Sequence, residues 1–78
     1  MATDTTRRLY ITIKGNIDSF ALYAEVKRYQ MCVLDLEDRC YVYGTVDIRE
    51  PIIEYILKIC YKYGQPIVDL ESTKNPSK

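Results

Sequence analysis

Four of the eight tyrosines in this chain stand in two copies of Tyr-x-Tyr-Gly, R-C-Y-V-Y-G-T-V at 39–46 and I-C-Y-K-Y-G-Q-P at 59–66. A tyrosine brings a flat apolar ring with a polar tip, so clustered tyrosines suit a contact surface better than bond-making chemistry. The other reactive types are sparse. Histidine is absent, which removes the commonest general base, the Ser-His and Cys-His nucleophile pairs and the usual zinc ligand. Cys32, Cys40 and Cys60 are too far apart in sequence for a cysteine-only metal motif and read as buried small hydrophobes. The alternating Asp35 and Glu37 would suit paired acid and base work, but on an edge strand alternating acids more often form a solvated face that discourages aggregation. Gly15, Gly44 and Gly64 lie in separate segments, so no glycine-rich phosphate loop exists. We therefore expect no enzyme, no metal and no cofactor.

Size and charge narrow the partners. Seventy-eight residues make one domain near the lower limit for a single core, which favours self-association. Eleven basic and eleven acidic residues cancel, so the general attraction to duplex DNA or anionic lipid is missing. No apolar run approaches the roughly 18 residues of a membrane span, and the start has no signal-peptide pattern. An odd number of cysteines suits a reducing compartment, and we expect a cytoplasmic protein. Residues 1–7 and 71–78 read as flexible tails around a domain at 8–70.

The elements that must position the tyrosines follow from periodicity. In R-L-Y-I-T-I-K (8–14) Leu9, Ile11 and Ile13 alternate with Arg8, Tyr10, Thr12 and Lys14, a strand with one buried face ended by Gly15-Asn16. Asp18 or Ser19 caps a helix running to about Gln30, with Ile17 and Leu22 placed as a hydrophobic staple. Its inward stripe is Leu22, Val26 and Tyr29, flanked by Tyr23, with Glu25 and Arg28 facing away. Cys32, Leu34 and Leu36 then alternate with Val33, Asp35 and Glu37. After a turn at 37–39, Cys40, Val42 and Val46 alternate with Tyr41, Tyr43 and Thr45. Pairing Leu36 with Cys40 places Cys32, Leu34 and Leu36 on the inner side of this hairpin, Asp35 and Glu37 outside, and Cys32 opposite Gly44, beyond disulfide reach of Cys40.

Asp47 and Glu50 have capping-box spacing, and Pro51 suits a helical first turn. Ile52, Ile56, Ile59 and Tyr63 line the second helix, widened by Ile53, Leu57, Cys60 and Tyr55, with Gly64 as a left-handed cap. I-V-D-L (67–70) reads as a last strand. The order strand, helix, strand, strand, helix, strand predicts an α+β ferredoxin-like β-α-β-β-α-β sandwich, with both helices on one face of a four-stranded antiparallel sheet.

On that fold the second Tyr-x-Tyr-Gly is a helix ending, whereas Tyr41 and Tyr43 share the open sheet face with Tyr10. The segment R-C-Y-V-Y-G at Arg39, Tyr41 and Tyr43, together with L-Y-I at Tyr10, resembles the aromatic strand motifs of RNA recognition motif domains. That resemblance implies stacking of single-stranded RNA on the three tyrosines and a phosphate contact from Arg39.

Our first expectation is a non-catalytic module, an adaptor, regulator or inhibitor, that binds a protein partner or itself through Tyr10, Thr12, Arg39, Tyr41 and Tyr43. A short chain of this kind is one a virus or mobile element encodes to block a host machine. The alternative is single-stranded RNA binding on the same face. The apolar arc of the second helix, roughly 200° wide, further predicts homodimerisation through Ile53 or Leu57.

Overall fold

The computed structural model describes residues 5–72. It contains β1 (Thr6–Lys14), α1 (Ser19–Val26) continued by a 3-10 turn over Lys27–Tyr29, β2 (Cys32–Leu36), β3 (Arg39–Asp47), α2 (Ile52–Tyr61) and β4 (Pro66–Ser72). The sheet order is β2-β3-β1-β4 and every neighbouring pair is antiparallel, which makes the fold a ferredoxin-like α+β sandwich. The first and last strands, β1 and β4, each extend two residues beyond the expected 8–70, β1 at its start and β4 at its end. Most of both expected tails falls outside the described residues.

β1 carries the fold. Leu9, Ile11 and Ile13 are fully buried, and Ile11 and Ile13 lie opposite Val42 and Cys40 on β3. Leu22 and Val26 of α1, Ile56 and Cys60 of α2, and Met31 and Val46 complete the core. The N-terminus of α1 is capped as expected, by the Asp18 carboxylate accepting from the Ala21 N–H at 3.2 Å. The helix tightens over Lys27–Tyr29 and stops at Gln30, a non-glycine residue in the left-handed region at φ 64°.

Three local expectations are corrected. Asp47 forms no capping box: its carboxylate accepts from Thr5, from the Arg49 backbone N–H and from the Arg49 guanidinium, and Pro51 occupies the N-cap of α2. Those bonds, from Arg49 first, hold the Asp47 carboxyl well below the usual carboxylate range. Gly64 is not left-handed, since among the described residues only Gly15 and Gln30 have positive φ. A Cβ at Gly64 would sit 2.8 Å from Ile13 Cγ2, so this glycine answers a close approach to β1. Glu25 does not face away either: it accepts a 2.5 Å bond from the Tyr63 hydroxyl and pairs with Lys62, fastening α1 to the end of α2.

The largest correction is the β2–β3 register. The turn holds two residues, Glu37 and Asp38, and Leu36 opposes Arg39 rather than Cys40. Because side chains alternate, this one-residue difference turns all of β2 over. Cys32, Leu34 and Leu36 lie on the open face and are exposed, while Val33 and Asp35 point to the helices. Asp35 there accepts a 3.0 Å bond from the Ser19 hydroxyl of α1.

Candidate interaction face

Directly opposed residues of an antiparallel sheet share a face, so the register lays out the uncovered side row by row. Leu36, Arg39 and Lys14 form one row. Leu34, Tyr41, Thr12 and Ile67 form the next. Cys32, Tyr43, Tyr10 and Asp69 follow, then Thr45, Arg8 and Glu71. Apolar groups thus run continuously from the β2 corner to the middle of the sheet, and charges gather at its two ends.

All five residues expected at this site fall on it together. Tyr10 opposes Tyr43 and Thr12 opposes Tyr41. The rings are not buried props of the core: Tyr10 is 36% and Tyr43 39% exposed. Arg8, Tyr10, Tyr43, Gly44 and Thr45 border a shallow depression of about 220 Å³. Arg39 is held in place, with Nε 3.2 Å from Asp38 and Nη1 3.3 Å from the Tyr41 hydroxyl. Both partners, Asp38 foremost, raise the Arg39 pKa further, so its charge is permanent and already neighboured by an acid.

Gly44 explains how β3 keeps this shape. It lies on the helix side opposite Leu9, where a Cβ would come 2.6 Å from Met31 Sδ and 3.1 Å from the Gln30 carbonyl. The glycine of the first Tyr-x-Tyr-Gly therefore makes room for Met31, and that of the second for Ile13. The repeat marks two unrelated steric needs. In the second copy Tyr63 packs on the core and Tyr61 is exposed.

The structure adds Leu34, Leu36, Cys32 and Ile67 to the face. Turn length was the only signal that would have found the β2 set. Asp35, expected among the tyrosines, is on the other side. Ile53 and Leu57, expected to be free for dimerisation, are half-buried and pack against the core beside Ile52 and Ile59, so the broad apolar arc of α2 is largely used by the fold.

The cysteines divide. Cys40 and Cys60 are buried as expected, and burial raises both thiols, Cys60 up to about 11. Neither is a ready thiolate near neutral pH. Cys32, expected inside, is exposed, because β2 is turned over.

Comparison with protein-family models, with curated proteins and with solved structures gives no match. Among the described residues no helix is long and apolar enough to cross a membrane.

Proposed function

We propose that this chain is a small non-catalytic interaction module, an adaptor, regulator or inhibitor, that binds a protein partner through the open face of its sheet. One observation carries the reading: Leu34 and Leu36 of an edge strand stand exposed beside Tyr41, Tyr43 and Tyr10. Aromatics with polar tips next to aliphatics, bordered by charge, are the composition of a protein contact with a dry centre and a wet rim. The partner-facing residues are Tyr10, Thr12, Leu34, Leu36, Arg39, Tyr41 and Tyr43. Free cysteines fit action in a reducing compartment such as the cytoplasm.

A second reading, stacking of single-stranded RNA, draws support from the depression between Arg8, Tyr10 and Tyr43. Asp69 beside Tyr10 and Asp38 on Arg39 oppose it, and the leucines offer nothing to a phosphate backbone.

Fluorescence anisotropy with random single-stranded RNA at low and moderate salt separates the two. Wild type is expected to show no salt-sensitive binding, while proximity labelling in cells recovers partners that both Tyr41→Ala/Tyr43→Ala and Leu34→Asp lose. Micromolar RNA binding that weakens with salt and vanishes in the tyrosine double variant would replace the protein reading with the RNA one. Partner recovery unchanged in both variants would remove this face from either.

A further inference from the structure

Among the described residues the sheet has two free edges, β2 and β4, and they are treated differently. β4 opens with Pro66 and carries Asp69 and Glu71, the usual protections against strand addition. β2, C-V-L-D-L, has no proline and no lysine, and its one charge is drawn to the helix side by Ser19. Leu36 and Arg39 flank a two-residue turn and so exchange both backbone bonds, as do Leu34 with Tyr41 and Cys32 with Tyr43 by alternation. The N–H and C=O groups of Val33 and Asp35 therefore face outward along the edge. Beside them α1 presents Phe20, 87% exposed, and Tyr23, which with Ser19, Val33 and Asp35 border a cavity of about 240 Å³. A phenylalanine this exposed next to an edge with neither proline nor lysine suits a surface that is covered.

We propose that a second copy of this chain covers it, with β2 pairing antiparallel to β2 about a two-fold axis at Leu34 and joining the two sheets into one of eight strands. The pairing must bring outward-facing groups opposite each other, which allows two-fold axes at Val33, Leu34 or Asp35. An axis at Asp35 sets two carboxylates side by side. An axis at Val33 overlaps only residues 32–34, whereas the axis at Leu34 overlaps all of Cys32–Leu36 and opposes Val33 to Asp35.

The helices supply charge complementarity. Asp18 and Asp35 lie at the N-terminal end of α1, and exposed Lys27 lies seven residues beyond Phe20 on the same helical line. The two-fold runs the two α1 helices antiparallel, so Lys27 of each copy approaches the acidic end of the other while Phe20 and Tyr23 meet their symmetry mates. Edge, aromatic wall and acid-to-base polarity are all self-complementary, as a two-fold interface demands. A net charge of zero adds no repulsion. The contact meets the open faces only along their β2 border, at Leu34, and leaves the tyrosines free, so Tyr41→Ala/Tyr43→Ala separates it from the proposed function.

Sedimentation velocity over a concentration series, with circular dichroism to confirm folding, tests the arrangement. Twice the 9.1 kDa chain mass is expected, and Phe20→Asp and Lys27→Glu should each raise the dimer dissociation constant tenfold or more. Leu34→Cys in a Cys32→Ser background should cross-link on oxidation, since facing non-hydrogen-bonded pairs lie within disulfide reach. A monomer at every soluble concentration overturns the proposal. So does a dimer indifferent to Phe20→Asp but lost in Tyr41→Ala/Tyr43→Ala, or a dimer in which Leu34→Cys never cross-links.

Discussion

The two faces of this sheet are made by the same strands and meet opposite fates. On the covered side Leu9, Ile11, Ile13, Cys40 and Val42 are wholly buried. One residue along, Tyr10, Thr12, Lys14, Arg39, Tyr41 and Tyr43 stand on a side that no described element covers. The covered face is aliphatic and small where crowding demands it, as at Gly44, because its shape is set by two helices that must fit it. The open face is aromatic and amphipathic. Tyrosine suits a strand surface that is half wet, and nothing in the fold constrains which shape it presents. Stability therefore resides on the covered side, and the recognition proposed above would fall to the open one.

Truncation should show the sharpest contrast. Ile11→Ala removes a fully buried side chain opposite Val42 and Val68 and is expected to cost about 3 kcal/mol, while its neighbour Thr12→Ala on the open face should cost under about 0.5 kcal/mol. Urea denaturation of the two variants checks this, and equal losses would end the distinction between the faces. Gly44→Ala comes next. Its new methyl group meets Met31 and the Gln30 carbonyl, so a loss of about 1–3 kcal/mol is expected by the same titration.

A smaller effect should appear at high pH, where the covered side is fastened by Tyr63 and Glu25. The bond to Glu25 pushes the Tyr63 phenol from an ordinary 10.0 up to about 12, so the folded chain holds this proton more tightly than the unfolded one. The stabilisation is complete below pH 10 and is lost as pH rises toward about 12. Tyr63→Phe should be less stable than wild type at neutral pH and flatter across that window in thermal melts. At the acid end the sign reverses. Lys62 first, then Tyr63, lower the Glu25 carboxyl below its ordinary 4.5, so that contribution is present above this pH and lost as pH falls through the depressed value.

Leu34→Asp should have only a small effect on the fold. On an exposed strand position it is expected to cost under about 1 kcal/mol while abolishing partner recovery. A loss several times larger in urea would mean that Leu34 points inward.

That last comparison marks where sequence reasoning stopped. β1 was fully legible: three aliphatics alternate with polar or aromatic residues, and only one side can face a core. β3 was legible for the same reason. In β2 both alternating sets contain apolar residues, Cys32, Leu34 and Leu36 against Val33, so the pattern favours the wrong set by count. A turn of Glu37-Asp38 carries none of the glycine or asparagine that announces a two-residue hairpin. The open face as read from the sequence accordingly held the tyrosines and lacked the leucines. The helix ends show a similar limit. Gly64 looked like a left-handed cap because that is the usual local reason for glycine there, whereas its actual reason is a methyl group of Ile13 arriving from a distant strand.

The sequence by itself determined the element order, the inner faces of β1 and β3 and a helix cap at Asp18 or Ser19, because each rests on periodicity or on neighbours a few residues apart, whereas Tyr10 joins Tyr41 and Tyr43 only through the pairing of β1 with β3. Only the tertiary structure decided which way β2 turns, why two glycines recur after two tyrosine pairs, and that Glu25 ties the helices together. Those depend on contacts between residues distant in the chain: Ser19 with Asp35, Met31 with Gly44, Ile13 with Gly64, Lys62 with Glu25. No local pattern encodes such a meeting, since each side chain is acceptable to its own element in either arrangement and the choice is made by the partner it finds.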